Sequence, residues 1–234
     1  ELATKLGCTR IALGHQADDQ VETVLFRVIR GTGPSGMAGI PVMRGKIIRP
    51  LLEITRTQLL SYLNRRRIAY CHDSSNTDIS FRRNYLRHKL LPEIRRRLNP
   101  QLDRAIRDLS EVISEEEQFL AEMSRRVYKR VVLTSAGGKL MLDLQIYLGY
   151  PHWLRRRVLR MALANLTGNQ FSPDKRTIDR IDTAAQTRSG SISVGGGVQV
   201  EIARQQLVIR GPAKQAEPIG LEMTNRWIRS VGLG

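Results

Sequence analysis

The chain has 234 residues, enough for one large domain or two modest ones, and its 38 Lys and Arg outnumber 22 acidic residues for a formal charge of +16. That excess makes a polyanion the first partner to consider. Two cysteines make no disulfide framework, no His or Cys pair has metal-ligand spacing, and no apolar run nears the roughly 20 residues that span a bilayer. A reducing cytoplasm is the default location. Charge is unevenly placed: residues 44–100 carry 14 basic and 4 acidic side chains, whereas 110–122 carry five Glu and no Lys or Arg.

In chain order, Glu1 to Leu6 reads as the tail of a helix stopped at Gly7, so the sequence is expected to begin inside a domain. Thr9 to Leu13 predicts a buried strand. A polar turn, GHQADDQ, leads into an apolar-periodic helix carrying Val21, Val24, Leu25, Val28 and Ile29 and ending near Gly31. Strand, polar turn and helix form the grammar of an α/β sheet, whose ligands sit at the carboxyl ends of strands. Gly31 to Gly39 is a glycine-rich loop and Lys46 to Arg49 a short strand. Thr55 to Arg67 predicts a helix capped by Thr55, with Leu59, Leu60 and Leu63 inward. Ile68 to Cys71 predicts a strand, and Arg83 to Leu98 a basic helix broken at Pro92, which marks a new first turn. Asn99-Pro100 marks a candidate boundary. Beyond it comes a helix from Leu102 to about Leu133, with Leu109, Val112, Ile113, Phe119 and Leu120 inward. Lys139 to Leu144 predicts a strand. Pro151 to Leu166 and Ser172 to Gln186 predict helices, the second capped by Ser172 with Pro173 at its first position. Ile192, Val194, Val198, Val200, Ile202, Leu207 and Ile209 alternate as a small β-meander, with Gly195 to Gly197 as a hairpin turn. The expected organisation is 1–98, 99–212 and 213–234, the last a linker or the start of a further domain.

Three constellations can carry chemistry. In HQADDQVET (15–23), Asp19 and Glu22 lie three apart at a helix start and share a face. Such carboxylates can hold an ammonium group or a magnesium ion, and the same spacing also fits a helix-capping box. The loop GTGPSGMAG (31–39) can approach a phosphate or a nucleobase but lacks the lysine of a Walker loop, and it reads equally as a flexible connection. In DSSN (73–76) and FRRNYLRHKLLP (81–92), Arg83 and Arg87 are four apart and can face one phosphate path or carboxylate cluster; Asn84 and His88 form the next row. A solvated basic face is the plainer reading.

Taken together, GHQADDQVET (14–23), RGTGPSGMAGI (30–40), RPLL (49–52), DSSN (73–76) and RNYLRHKLLP (83–92) resemble, in order and spacing, the tRNA(Ile)-lysidine synthetases. HWLRRRVLRMAL (152–163) and SGSISVGGGVQV (189–200) continue the resemblance more loosely, and Ser74 stands where that family often has proline. The resemblance implies an α/β fold: a partial PP-loop domain with a Rossmann-like parallel sheet, then a mainly helical domain with a small β-meander. It implies a carbon–nitrogen ligase that uses ATP to join lysine to the wobble cytidine of an isoleucine tRNA through an adenylated cytidine. Asp19, Glu22, Asn76 and Arg83 then bind lysine, with Asp19 and Arg83 in the catalytic set. His15 orients the turn, and Gly31, Gly33 and Gly36 lie near substrate. Arg82, Arg87, His88, Arg95, Arg96 and Arg97 face the tRNA. Partners are tRNA(Ile), free L-lysine and ATP; ATP and Mg2+ are the cofactors, and no residue set is assigned to a metal. The family's SGG-x-DS phosphate loop has no match in the 234 residues, so this chain is expected to be inactive alone. No membrane partner is implied, and oligomeric state is left open, a homodimer included. The competing readings are a PP-loop tRNA thiolase, whose CxxC pairs are missing here, and a non-enzymatic basic RNA-binding module.

Overall fold

The computed structural model describes residues 2–71, 77–168 and 173–212. The chain divides between Ala121 and Glu122 into two compact units.

In the first unit, α1 (Leu2–Lys5) precedes β1 (Ile11–Ala12), α2 (Ala17–Ile29), α3 (Pro34–Met37), β2 (Met43–Arg44), β3 (Ile47–Ile48) and α4 (Arg56–Arg66). β1 runs parallel to β3, pairing Ile11 with Ile47 and Ala12 with Ile48, while β2 lies antiparallel on the far side of β3. A parallel pair needs a crossover, and α2 supplies its helix. The strand expected over 9–13 is shorter than its apolar run, and Ile11 is exposed because β1 is the edge of its sheet. α4 is capped as expected: Thr55 Oγ1 accepts from the Gln58 N–H at 3.2 Å, and Gln58 Oε1 accepts from the Thr55 N–H at 2.9 Å. Residues 68–71 form no strand, and Ile68 and Tyr70 are exposed.

The basic segment is helical without a gap, and Pro92 stands in the first turn of its last helix, as expected. It runs through α5 (Arg82–Tyr85), a π turn (Leu86–Leu90) and α6 (Leu91–Arg97). Pro92 has no N–H to give to the carbonyl four residues back, and the chain widens to a π turn just before it. Leu86 and Leu91 pack with Val21 of α2, and around them sit Leu25, Phe26, Leu90, Leu102 and Ile106. This small core fixes α2 against the π turn.

α7 (Leu102–Val131) contributes to both units. Its buried positions, Ser110, Ser124, Val127 and Val131, follow the helical repeat through two serines. Leu109, Val112 and Phe119, expected inward, are exposed on a different stripe; Ile113 and Leu120 are half-buried.

The second unit contains β4 (Val132–Ala136), β5 (Lys139–Asp143), α8 (Leu144–Leu148), α9 (His152–Thr167), α10 (Lys175–Thr187), β6 (Gly190–Gly195), β7 (Val198–Ala203) and β8 (Gln206–Arg210). The meander β6–β7–β8 is extended by β5 and β4 into a five-stranded antiparallel sheet, order β4-β5-β8-β7-β6. Val198, Val200, Leu207 and Ile209 are fully buried with Val158, Leu159 and Leu163 of α9 and Ile178 and Ile181 of α10. Asp174 caps α10, its carboxylate accepting from the Thr177 N–H at 2.8 Å. The cap was expected at Ser172, which lies outside the described residues, with Pro173 as the first helical residue; the helix instead starts at Lys175, after Pro173, because the Asp174 carboxylate takes the capping role. Among the described residues no helix is long and apolar enough to cross a membrane.

Candidate functional site

The turn after β1 is held from three sides before any substrate is considered. His15 Nδ1 accepts from Arg49 Nε at 3.3 Å, and Arg49 also donates to the Pro41 carbonyl at 2.8 Å. Asp18 accepts from the Arg56 backbone N–H at 2.8 Å, tying the turn to the start of α4. Asp19 Oδ2 accepts from the Gln16 N–H at 3.0 Å, closing a capping box between Gln16 and Asp19 in place of the Asp19–Glu22 box that the spacing allowed.

Its other oxygen faces outward, into a four-charge cluster. Asp19 Oδ1 accepts from Arg83 at 2.9 Å and from Arg87 at 3.3 Å. Glu22 Oε1 accepts from Arg87 Nε at 2.5 Å, and Glu22 Oε2 from Arg87 at 3.0 Å and from Arg83 Nε at 3.0 Å. Glu22 is 2% exposed, Arg87 24% and Arg83 50%. The spacing of Asp19 and Glu22 on α2, matched to that of Arg83 and Arg87 across α5 and the π turn, closes a network of two carboxylates and two guanidiniums. The hydrogen bond with Glu22 holds the Arg87 guanidinium above its ordinary pKa. A buried carboxylate needs such partners.

The glycine-rich loop is anchored rather than free. Arg27 of α2 donates to the carbonyls of Gly36 at 3.0 Å and Gly39 at 2.8 Å. Gln20 grips Ile40 in both directions, at 2.6 and 3.3 Å. A Cβ on Gly39, which has φ +72, would meet the Gln20 side chain at 2.6 Å, and one on Gly36 would meet Thr32 Oγ1 at 1.8 Å. The N–H groups of Gly36, Met37, Ala38 and Gly39 all donate within the loop. They therefore do not cradle a phosphate, and Gly31 and Gly33 belong to the approach to this clamped turn.

A cleft of about 720 Å³ opens beside the cluster, lined by Gln16, Asp18, Glu22, Arg56, Tyr70, Arg87, His88 and Arg95 among others. It gathers four of the expected site residues: Glu22, Arg87, His88 and Arg95. Arg83 joins it through Glu22, and Asp19 through Arg87. Gln16, Asp18, Arg56 and Tyr70 were not singled out; Asp18 stands in the quoted DDQ, but nothing in the sequence marks Arg56. Asn84 donates to the Asp78 carbonyl at 2.9 Å, which shapes the approach to α5. Asn76 lies outside the described residues.

The residues expected to face tRNA divide. Arg82 has no partner among the described residues. Arg95 pairs with Asp103 at 2.9 Å, and Arg96 pairs with Glu93 at 3.0 Å, as does Arg97. The Glu93 pairs are exposed, and such pairs are weak enough to exchange for a phosphate. Arg87 is committed to Glu22 and Asp19.

Among the described residues no group of three or more His, Cys, Asp and Glu is placed to hold a metal ion. Among these residues Asp19 and Glu22 have no third acidic, His or Cys group beside them, and most of their oxygen positions are taken by guanidiniums, so the cluster lacks the set of oxygen ligands a magnesium ion needs.

A short parallel pair, a crossing helix and a polar cluster at the carboxyl end of the first strand are the elements of a nucleotide-using α/β domain. Residues 1–94 match the PP-loop domain family. Beyond that domain, the chain is similar to bacterial tRNA(Ile)-lysidine synthases. It is 37% identical to that of Chlorobaculum tepidum, over 86% of this chain and 60% of the relative. It is 35% identical to that of Geobacter sulfurreducens, over 78% and 39%, and 32% identical to that of Bacillus subtilis, over 72% and 36%. The first of these matches covers 202 residues and so takes in parts of both units. The chain spans between 36% and 60% of the length of these three relatives.

Proposed function

We propose that this chain is part of an enzyme that uses ATP to join L-lysine to the wobble cytidine of an isoleucine tRNA. The observation that carries the reading is the Asp19–Glu22–Arg83–Arg87 cluster. It joins the two most specific motif segments, DDQVET and RNYLRH, in a chain whose relatives are named for this activity. In the first step, the cytidine O2 bonds to the α-phosphorus of ATP and pyrophosphate leaves. In the second, the ε-amine of lysine bonds to C2, gives up a proton, and AMP leaves with the former O2.

The cluster supports a role in holding the amine. An ionised carboxylate offers about four acceptor positions, and the bonds above occupy three on Asp19 and three on Glu22. One position on each is left for an ammonium group. Arg83, the more exposed guanidinium, is the one able to answer negative charge on the substrate side, and Asn76 completes the set by resemblance. Mg2+ accompanies ATP in this reading. No described residue is assigned to it, and no step is routed through it.

The test uses the full-length protein with Asp19→Asn and Glu22→Gln. Each keeps shape and removes the charge that answers an amine. A hydrogen bond to a charged group contributes about 1.5–3 kcal/mol, so the lysine KM is expected to rise roughly tenfold or more, with tRNA affinity unchanged. If melting temperature falls and lysine kinetics stay the same, the cluster is purely structural and the reading loses its support.

A further inference from the structure

A second cleft in the first unit, of about 640 Å³, lies between the end of the glycine-rich loop and α7, away from the cluster above. Its charge is opposite to that of the chain. Glu53, Glu111 and Glu115 line it, and none has a hydrogen-bond or ion-pair partner among the described residues. Asp108 is the exception on this wall, pairing with Arg104 at 3.6 Å. Elsewhere in the described residues every carboxylate but Glu116 has a partner, as expected in a chain of net charge +16. Unpaired carboxylates are thus collected where the protein has a cavity.

A second observation points the same way. Ser110 lines this cleft, is 2% exposed, and its hydroxyl oxygen has no hydrogen-bond partner. A buried hydroxyl without a partner is destabilising, and a bound donor can offset that. Ile40, Pro41, Val42 and Leu52 supply an apolar strip, while Arg104 and Arg107 also line the cleft and leave its four carboxylates in excess by two.

These features select the ligand. The acidic groups are not placed to converge on a metal ion. Helical rise separates Glu111 from Glu115 by about 6 Å along the axis, the spacing of two amines joined by a butyl chain. We propose that this cleft binds an organic polyamine: its ammonium groups pair with Glu111, Glu115 and Glu53, one of them donates to Ser110, and its methylenes pack on Ile40 and Leu52. The inference does not depend on the proposed ligase activity.

Titration calorimetry of the full-length protein with spermidine, without nucleic acid and at fixed ionic strength, tests it. Saturable binding is expected. Glu111→Gln and Glu115→Gln should each weaken it by up to about fivefold, and the pair together by roughly tenfold, the range for partly exposed ion pairs. Ser110→Ala should weaken it without lowering the melting temperature. Glu116→Gln, on the same helix but outside the cleft, should leave it unchanged. Absence of saturable binding overturns the proposal. So does equal weakening by Glu116→Gln and Glu111→Gln, which is diffuse attraction to an acidic helix.

Discussion

At the scale of single residues, burial separates two carboxylates that the sequence presents as equals. Glu22 is 2% exposed and Asp19 14%, and Glu22 accepts both Arg87 bonds of good length. Breaking a buried ion pair costs about 3–5 kcal/mol because the partner is left uncompensated. Arg87 keeps some solvent here, so Glu22→Gln is expected to cost about 2–3 kcal/mol and Asp19→Asn, with its exposed partner Arg83, about 1 kcal/mol. Urea midpoints of the two variants measure the difference; equal midpoints would contradict the assigned burial. The spacing of Asp19 and Glu22 was legible, as was that of Arg83 and Arg87. Their pairing was not, because 61 residues separate Glu22 from Arg83 and no local periodicity connects them. The choice between cap and site left open by Asp19 resolves by atom: one oxygen caps α2 and the other faces the arginines.

At the scale of elements, the second unit is joined by a buried network that its sequence pattern did not announce. Asp182 of α10 is 1% exposed and accepts from Tyr147 of α8 at 2.6 Å, from Arg155 of α9 at 2.8 Å through both nitrogens, and from Gln186 at 2.9 Å. Burial alone would raise its pKa, but the bonds from Arg155 and Tyr147 outweigh burial and hold it below the ordinary carboxylate range. Burial, reinforced by the bond to Asp182, pushes the Tyr147 phenol up, so it stays a donor. A carboxyl whose folded pKa is depressed contributes stability above its unfolded pKa, about 3.9, and loses it as pH falls through the folded value. Urea midpoints are therefore expected to drop below about pH 4, and Asp182→Asn should lack that part of the drop while being weaker near neutrality. Tyr147→Phe should cost about 1.5–3 kcal/mol. A Tyr147→Phe protein as stable as the parent would show that the network holds nothing together. Helices with a clear apolar repeat and the alternating meander were readable in advance. The misread elements share a cause: Leu109, Val112 and Phe119 are apolar yet solvated, while Ser110 and Ser124 are polar yet buried, so hydropathy assigned α7 the wrong face. Pro92 does open the first turn of α6, and what its sequence did not announce is the π turn that joins α6 to α5 without a gap.

At the scale of the whole molecule, the charge of +16 favours a polyanionic partner, the role that tRNA has in the proposed reaction. Arg95 and Arg96 pair with acidic neighbours at partly exposed positions, from which a phosphate can take them. Arg95→Ala and Arg96→Ala should each weaken binding to any tRNA and flatten its salt dependence by about 0.7–0.9 per lost phosphate contact. Arg83→Ala should lower the single-turnover rate at saturating tRNA instead; a loss of affinity alone would move Arg83 out of the reacting site. The 234 residues contain no SGG-x-DS sequence, and the N–H groups of Gly36, Met37, Ala38 and Gly39 donate within their own loop, so assayed by themselves they are expected to form no lysidine above background. The most direct test of the central claim is AMP release by the full-length protein, measured with ATP and unmodified isoleucine tRNA with and without L-lysine. The account requires release of AMP that depends on lysine, with lysine recovered on the wobble cytidine. ATP turnover indifferent to lysine, or sulfur in place of lysine on the tRNA, would contradict it.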